Sequence, residues 1–214
     1  MNTNNKLACL FLLFFLAAGA VQPQTVNCLV ALVGGRPVTL MDLEVAREFG
    51  LFDPALERTG GDPRLAVLEP LIGQKVILEM AREPMSFGRE ELELALESLR
   101  DKAGPSAFAG KLRKLGLREE DLRPYLEERL RYERILAARF PATIPVSRID
   151  VETYYRDVYV PGQKAKGLEP DSLESALPAL EAMVRDTVRA RKVAEWVRTM
   201  REQAEVRINK DCLK

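Results

Sequence analysis

The sequence has 214 residues, with 32 lysines and arginines, 32 aspartates and glutamates and no histidine, so its formal net charge is zero. A nucleic-acid-binding protein needs a net basic surface to neutralise phosphates, so this composition argues against that class. Histidine is the most frequent general base and transition-metal ligand, and without it neither a His-dependent triad nor a His-containing zinc site can form. We therefore expect no catalytic residues, no metal and no cofactor.

The first feature along the chain is a run of twelve apolar residues, Leu7–Ala18, behind the single cation Lys6. A membrane-spanning helix needs roughly 20 apolar residues, and the small residues Ala18-Gly19-Ala20 suit a signal peptidase. The pattern predicts a signal peptide over residues 1–20 that is cleaved after Ala20. It thus predicts an exported protein without stable membrane insertion, and an uncleaved membrane anchor is the alternative.

A β-hairpin is predicted next. The apolar residues 27–33, the Gly34-Gly35 turn and the short segment 36–38 are typical of two strands joined by a tight turn. Thr39 can accept a hydrogen bond from the amide of Asp42, so we expect it to cap a helix over residues 40–52.

Periodic apolar residues predict a series of further helices. Their expected spans are 64–82 with Pro70 bending it or marking its true start, 86–103 capped by Ser86, 106–115, 118–140, a short helix capped by Ser147, and a long helix over 172–203. Between the last two, the segment from Pro161-Gly162 to Asp171 is typical of an exposed connector. Acidic pairs such as Glu90-Glu91 and Glu127-Glu128 fall in first helical turns or on polar faces, which accounts for them without a catalytic site.

The chain closes with strict polar–apolar alternation over residues 204–209, which predicts a half-buried strand. An isolated hairpin is marginally stable, so we expect the first and last strands to pair in one small sheet. That pairing would bring Cys28 near Cys212, the two cysteines outside the predicted signal. In an oxidising compartment they would form a disulfide that closes a long loop; two unpaired thiols are the alternative, because sequence does not give their separation.

Several segments resemble the SurA-type periplasmic chaperones. The resemblance is carried by residues 30–43 (VALVGGRPVTLMDL), 71–78 (LIGQKVIL), 116–123 (GLREEDLR), 146–155 (VSRIDVETYY), the closing helix and Val206-Arg207-Ile208. Where members of that family carry a parvulin prolyl-isomerase domain, this chain has only the twelve residues from Val160 to Asp171, too few for a domain. The lack of histidine agrees with a missing isomerase site.

The resemblance implies a mainly α fold with a small sheet: a helical SurA N-terminal-like domain over 21–159, a connector over 160–171, and a closing helix and strand over 172–214. It also implies a periplasmic holdase, not an enzyme, that binds unfolded exported polypeptides, chiefly outer-membrane proteins, in a groove between helices. Candidate peptide-binding residues are the aromatic side chains Phe108, Tyr132, Tyr154, Tyr155 and Trp196, any of which could instead be core. A scaffold for one dedicated envelope partner, or an unrecognised enzyme, remains the alternative.

Overall fold

The computed structural model describes residues 28–53, 56, 63–81 and 85–213, so the predicted signal peptide lies outside the described residues. The described residues form eight α-helices and one three-stranded sheet, which confirms the expected mainly α fold with a small sheet. In chain order the elements are β1 (Leu29–Val33), β2 (Arg36–Thr39), α1 (Leu40–Phe49), α2 (Pro63–Met80), α3 (Arg89–Ala103), α4 (Pro105–Leu115), α5 (Arg123–Arg139), α6 (Arg148–Tyr154), α7 (Val160–Ala165), α8 (Leu173–Gln203) and β3 (Val206–Ile208).

The sheet has the order β2-β1-β3, and both pairings are antiparallel. Ala31 lies opposite Ile208 and Val33 opposite Val206, so the predicted pairing of the first and last strands is confirmed. Gly34 and Gly35 both have positive φ, 54° and 89°, which a two-residue hairpin turn requires. The buried side of β1 packs on α1 and α2 in one apolar cluster.

Helix α1 begins at the predicted cap. The Thr39 N–H donates to Asp42 Oδ2 at 2.7 Å, and the Asp42 N–H donates to Thr39 Oγ1 at 3.2 Å. The helix ends at Phe49, three residues before the predicted end, because Gly50 adopts a left-handed conformation with φ of 65° and caps it.

Helix α2 is the centre of the molecule. It is buried on most sides and packs against the sheet, α1, α5 and α8. Pro70 lies inside this helix, seven residues after its start at Pro63, and so does not mark its beginning. Lys75, mostly buried, reaches α5 and pairs with Glu128 at 2.5 Å.

Helices α3, α4 and α5 surround a second apolar cluster together with the end of α1. Two predicted boundaries are wrong here. Gly88, not Ser86, is the N-cap of α3, and it provides no side-chain cap. The predicted helix over 118–140 is divided, because Glu119–Leu122 forms a 3₁₀ turn before α5 begins at Arg123.

Residues 146–188 form an arm, in which α6 packs along the first half of α8. Ser147 caps α6 as predicted, accepting from the Asp150 N–H at 3.1 Å. Half of the predicted connector over 160–171 is helical, because a π-helical turn at Tyr155–Tyr159 continues directly into α7, Val160–Ala165. The second half of α8 leaves the arm and packs on α2.

Candidate functional site

Two of the five aromatic candidates lie in the core. Phe108 is 2% exposed and meets Phe49 edge-to-face at 5.6 Å, and Tyr132 is 0% exposed. The Tyr132 hydroxyl donates to Asp53 Oδ2 at 3.1 Å. These side chains stabilise packing between helices and present no surface to a peptide, which corrects the expectation for Phe108 and Tyr132.

The next two candidates, Tyr154 and Tyr155, lie half-buried on the arm, where they border its apolar cluster. Tyr155 stacks with Tyr159, with ring centroids 5.6 Å apart. Both hydroxyls donate to Asp171, from Tyr155 to its backbone oxygen at 2.8 Å and from Tyr159 to its carboxylate at 3.0 Å. Burial and this carboxylate raise the pKa of Tyr159. The pair thus fastens the start of α8 to the π turn.

The fifth candidate, Trp196, is half-buried where α8 meets the end of α5. Its ring contacts Phe140 edge-to-face at 5.6 Å, and the Arg139 guanidinium lies over it at 4.7 Å. Phe108, the Tyr132–Trp196 pair and the Tyr154–Tyr155 pair belong to three different apolar clusters. The five candidates therefore do not line one groove.

The apolar surface that the structure does present is on the arm. Nine large apolar side chains of the described residues are exposed, and five of them belong to the arm, with exposed fractions from 36% to 73%. These five are Ile149, Val158, Leu168, Leu177 and Met183. Leu177 and Met183 are six residues apart on α8 and so point about 120° apart around the helix axis. The arm is thus apolar on several sides.

Sequence reasoning missed these five residues because it searched for aromatic side chains and for the buried stripe of each helix. The signal that could have found them is the excess of apolar residues outside that stripe. On α8, for example, the stripe residues Leu180 and Val184 are buried, while Leu177 and Met183 lie beside them and are exposed. Isolated exposed apolar residues are ordinary, but five of the nine among the described residues fall within the arm.

A polar cleft of about 540 Å³ lies between α1, α2 and the start of α5. Within the cleft Lys75 pairs with Glu128 and the Tyr125 hydroxyl with Asp42, while Asp121 at its edge pairs with Arg118 outside it. Burial, and then the Asp42 carboxylate, raise the pKa of Tyr125. The described residues contain no group of three or more potential metal ligands.

Cys28 and Cys212 are joined by a disulfide in the structure, with their Cα atoms 5.8 Å apart. Cys212 lies within the 3₁₀ turn Lys210–Leu213, whose Leu213 is buried in the same cluster as β1. It connects the beginning of β1 to the segment after β3, across a sequence separation of 184 residues. The bridge therefore holds the last segment of the described chain against the sheet.

No family model matches the chain, and no curated protein is significantly similar to it. Within the part of the chain that the structure describes, no helix has both the length and the apolar character needed to cross a membrane.

Proposed function

We propose that this protein is a non-enzymatic chaperone of the cell envelope that holds unfolded exported polypeptides, chiefly outer-membrane proteins, and prevents their aggregation. The observation that carries the proposal is the arm with its five exposed large apolar side chains. Such a surface costs free energy in water and favours a binding role. The sequence segments that resemble the SurA-type chaperones support the same function, and the short segment 160–171 supports a chaperone without isomerase activity.

The packing of the arm also supports this role. Its fold rests on a separate buried cluster formed by Val151, Ala176, Leu180, Val184 and Val188. The exposed apolar side chains are not members of that cluster, so they are available without unfolding the arm. Because they point in several directions, an extended chain of varied sequence can contact them in many registers, which suits a binder of many clients.

The first test is light scattering after a denatured porin is diluted into buffer containing the purified chain. A denatured soluble protein, diluted in the same way, gives the comparison. We expect suppression of porin aggregation at near-stoichiometric amounts of the chain. Unchanged scattering with both proteins would contradict the proposal and favour a scaffold for one dedicated envelope partner.

Variants of the arm make this test specific. Ile149→Ser and Val158→Ser each remove an exposed apolar side chain from the arm, and Leu94→Ser removes a comparably exposed one from α3, 60% exposed. The arm variants should suppress aggregation less than the parent chain, while Leu94→Ser should match it. Equal activity of all three variants would show that the arm is not the binding surface.

A further inference from the structure

One face of α8 carries a row of cations around the half-buried Trp196. Arg185, Arg189, Lys192 and Trp196 follow one another at spacings of four, three and four residues. Because an α-helix has 3.6 residues per turn, these four side chains share one face. Glu181, one turn before Arg185, continues this face with a carboxylate, and no acidic residue lies on the face between Arg185 and Trp196.

The end of α5 adds a further cation and an aromatic ring to this row. The Arg189 Nε–H donates to the backbone oxygen of Phe140 at 2.8 Å. Arg139 lies over the ring of Trp196 and, at 5.7 Å, over that of Phe140. We call Arg139, Arg185, Arg189, Lys192 and Trp196 the cationic patch.

The cations of the cationic patch form no close ion pairs within the described part of the chain. None of its four cations has a carboxylate within 4 Å there, whereas Arg129, Arg134, Arg191 and Arg201 of the same two helices each have one. Asp150 pairs with Arg191 at 3.9 Å, and its pKa is lowered first by hydrogen bonds from Ser147 and then by the charges of Arg191 and Lys192. Lys192 therefore has one carboxylate in its surroundings, beyond ion-pair distance. The Nε of Arg185 is buried and has no hydrogen-bond partner. That atom is out of reach of a client, whereas Arg139 and Lys192 are exposed and can donate to an anion that approaches from solvent.

The cationic patch lies at the junction of the arm and the core. On one side of its row, Val184 and Val188 of α8 pack in the arm. On the other side, Val193 and Val197 pack against α2 in the core. Arg139 and Lys192 are exposed, and the remaining members are half-buried. A chain bound along the arm can therefore reach the patch.

We propose that the cationic patch binds carboxylate side chains of client polypeptides, so that the preferred clients are unfolded segments in which acidic residues flank apolar ones. This inference rests on the proposed chaperone function and names its substrate class. Arginine and lysine form charge-assisted hydrogen bonds with carboxylates, and arginine does so in bidentate geometry. The adjoining Trp196 ring and arm surface would contact the apolar part of the same segment.

The test compares two fluorescent peptides that share one apolar sequence and differ only in their flanks, which are glutamate in one and glutamine in the other. We expect the glutamate peptide to bind the purified chain about tenfold more tightly by fluorescence anisotropy, the effect of one charge-assisted hydrogen bond. The difference should shrink in about 1 M salt, where charges are screened over about 3 Å.

The matching variants are Arg185→Gln with Lys192→Gln in the patch, and Arg89→Gln with Lys102→Gln on α3. Arg89 and Lys102 are exposed and likewise have no carboxylate within 4 Å among the described residues. The patch variant should lose the preference for the glutamate peptide and keep its affinity for the glutamine peptide. The α3 variant should retain the preference.

Three results would overturn the inference, and they differ in whether they also contradict the proposed chaperone function. Equal binding of both peptides by the parent chain would refute the cationic patch while leaving the chaperone function standing. Binding of neither peptide would refute the chaperone function as well. If the patch variant keeps the preference for the glutamate peptide, Arg185 and Lys192 do not select acidic clients and the inference is wrong, whatever the variant does to the melting temperature.

Discussion

At Gly73 the centre of α2 approaches α8 so closely that no side chain fits. A Cβ atom there would lie 2.7 Å from Val197 Cγ1 and 3.6 Å from Leu56 Cδ1. We expect Gly73→Ala to lower the free energy of unfolding by about 1–3 kcal/mol through overpacking. Gly110→Ala is the matched control, because nothing lies within 4 Å of its Cβ position inside α4; it should stabilise by up to about 1 kcal/mol. Urea denaturation of both variants checks the prediction, which fails if Gly73→Ala is as stable as the parent.

The buried hydroxyl of Tyr132 gives the fold a dependence on alkaline pH. Burial, and then the Asp53 carboxylate, raise the pKa of this phenol, whereas the unfolded chain loses the corresponding proton near about pH 10. Its contribution to stability is therefore complete below about pH 10 and is lost as the pH rises toward the folded value. Between about pH 9 and 11, the unfolding free energy of the parent should fall more steeply than that of Tyr132→Phe. Parallel pH profiles would contradict this account.

Among the elements, the arm should open independently of the core, because its buried cluster shares no residue with the others. Leu180 is 1% exposed in that cluster, so Leu180→Ala should cost the arm about 2–5 kcal/mol. We expect faster amide hydrogen exchange in α6 and the first half of α8, with unchanged protection in α2. Leu177→Ala, on the same helix but 36% exposed, should leave exchange unaffected. Equal acceleration in α2 would show that arm and core unfold together.

Element boundaries were predictable where one side chain decides them. Thr39 and Ser147 each precede an aspartate at the third helical position, and both capping boxes form. The π turn was not predictable. The Val160 N–H bonds the Tyr155 oxygen five residues back, and Pro161, which has no N–H to lose, then continues the helix. Pro161 and Gly162 therefore do not end the helix, because the π turn before them has already accommodated the proline.

For the whole molecule, the bridge between Cys28 and Cys212 should be a major source of stability. In the chain-entropy model, closing a loop with a sequence separation of 184 residues stabilises by about 5 kcal/mol as an upper figure. Adding a dithiol reductant should therefore lower the melting temperature of the parent. The double variant Cys28→Ser with Cys212→Ser should melt at the lower temperature with or without the reductant. A parent that melts identically in both conditions would contradict the prediction.

The sheet could be predicted from the sequence, whereas the candidate binding surface could not. The pairing of β1 with β3 followed from local pattern, since an isolated hairpin needs a third strand and the alternation over 204–209 supplies one. The binding surface depends instead on which apolar side chains remain uncovered after packing. Tyr132 and Ile149 both lie on helices, yet the side chain of Tyr132 is fully buried and that of Ile149 is 73% exposed. This difference in exposure arises from tertiary contacts, which the local sequence pattern does not reveal.

The strand order has a consequence for how the molecule is made. β1 lies at the centre of the sheet, but its partner β3 and the cysteine that follows come much later in the chain, with 184 residues separating the two bridged cysteines. A chain that leaves the ribosome amino end first therefore carries a half-paired central strand until β3 has been synthesised. The sheet closes only after α8 has emerged, so its completion and the bridging of the cysteines follow the synthesis of all eight described helices.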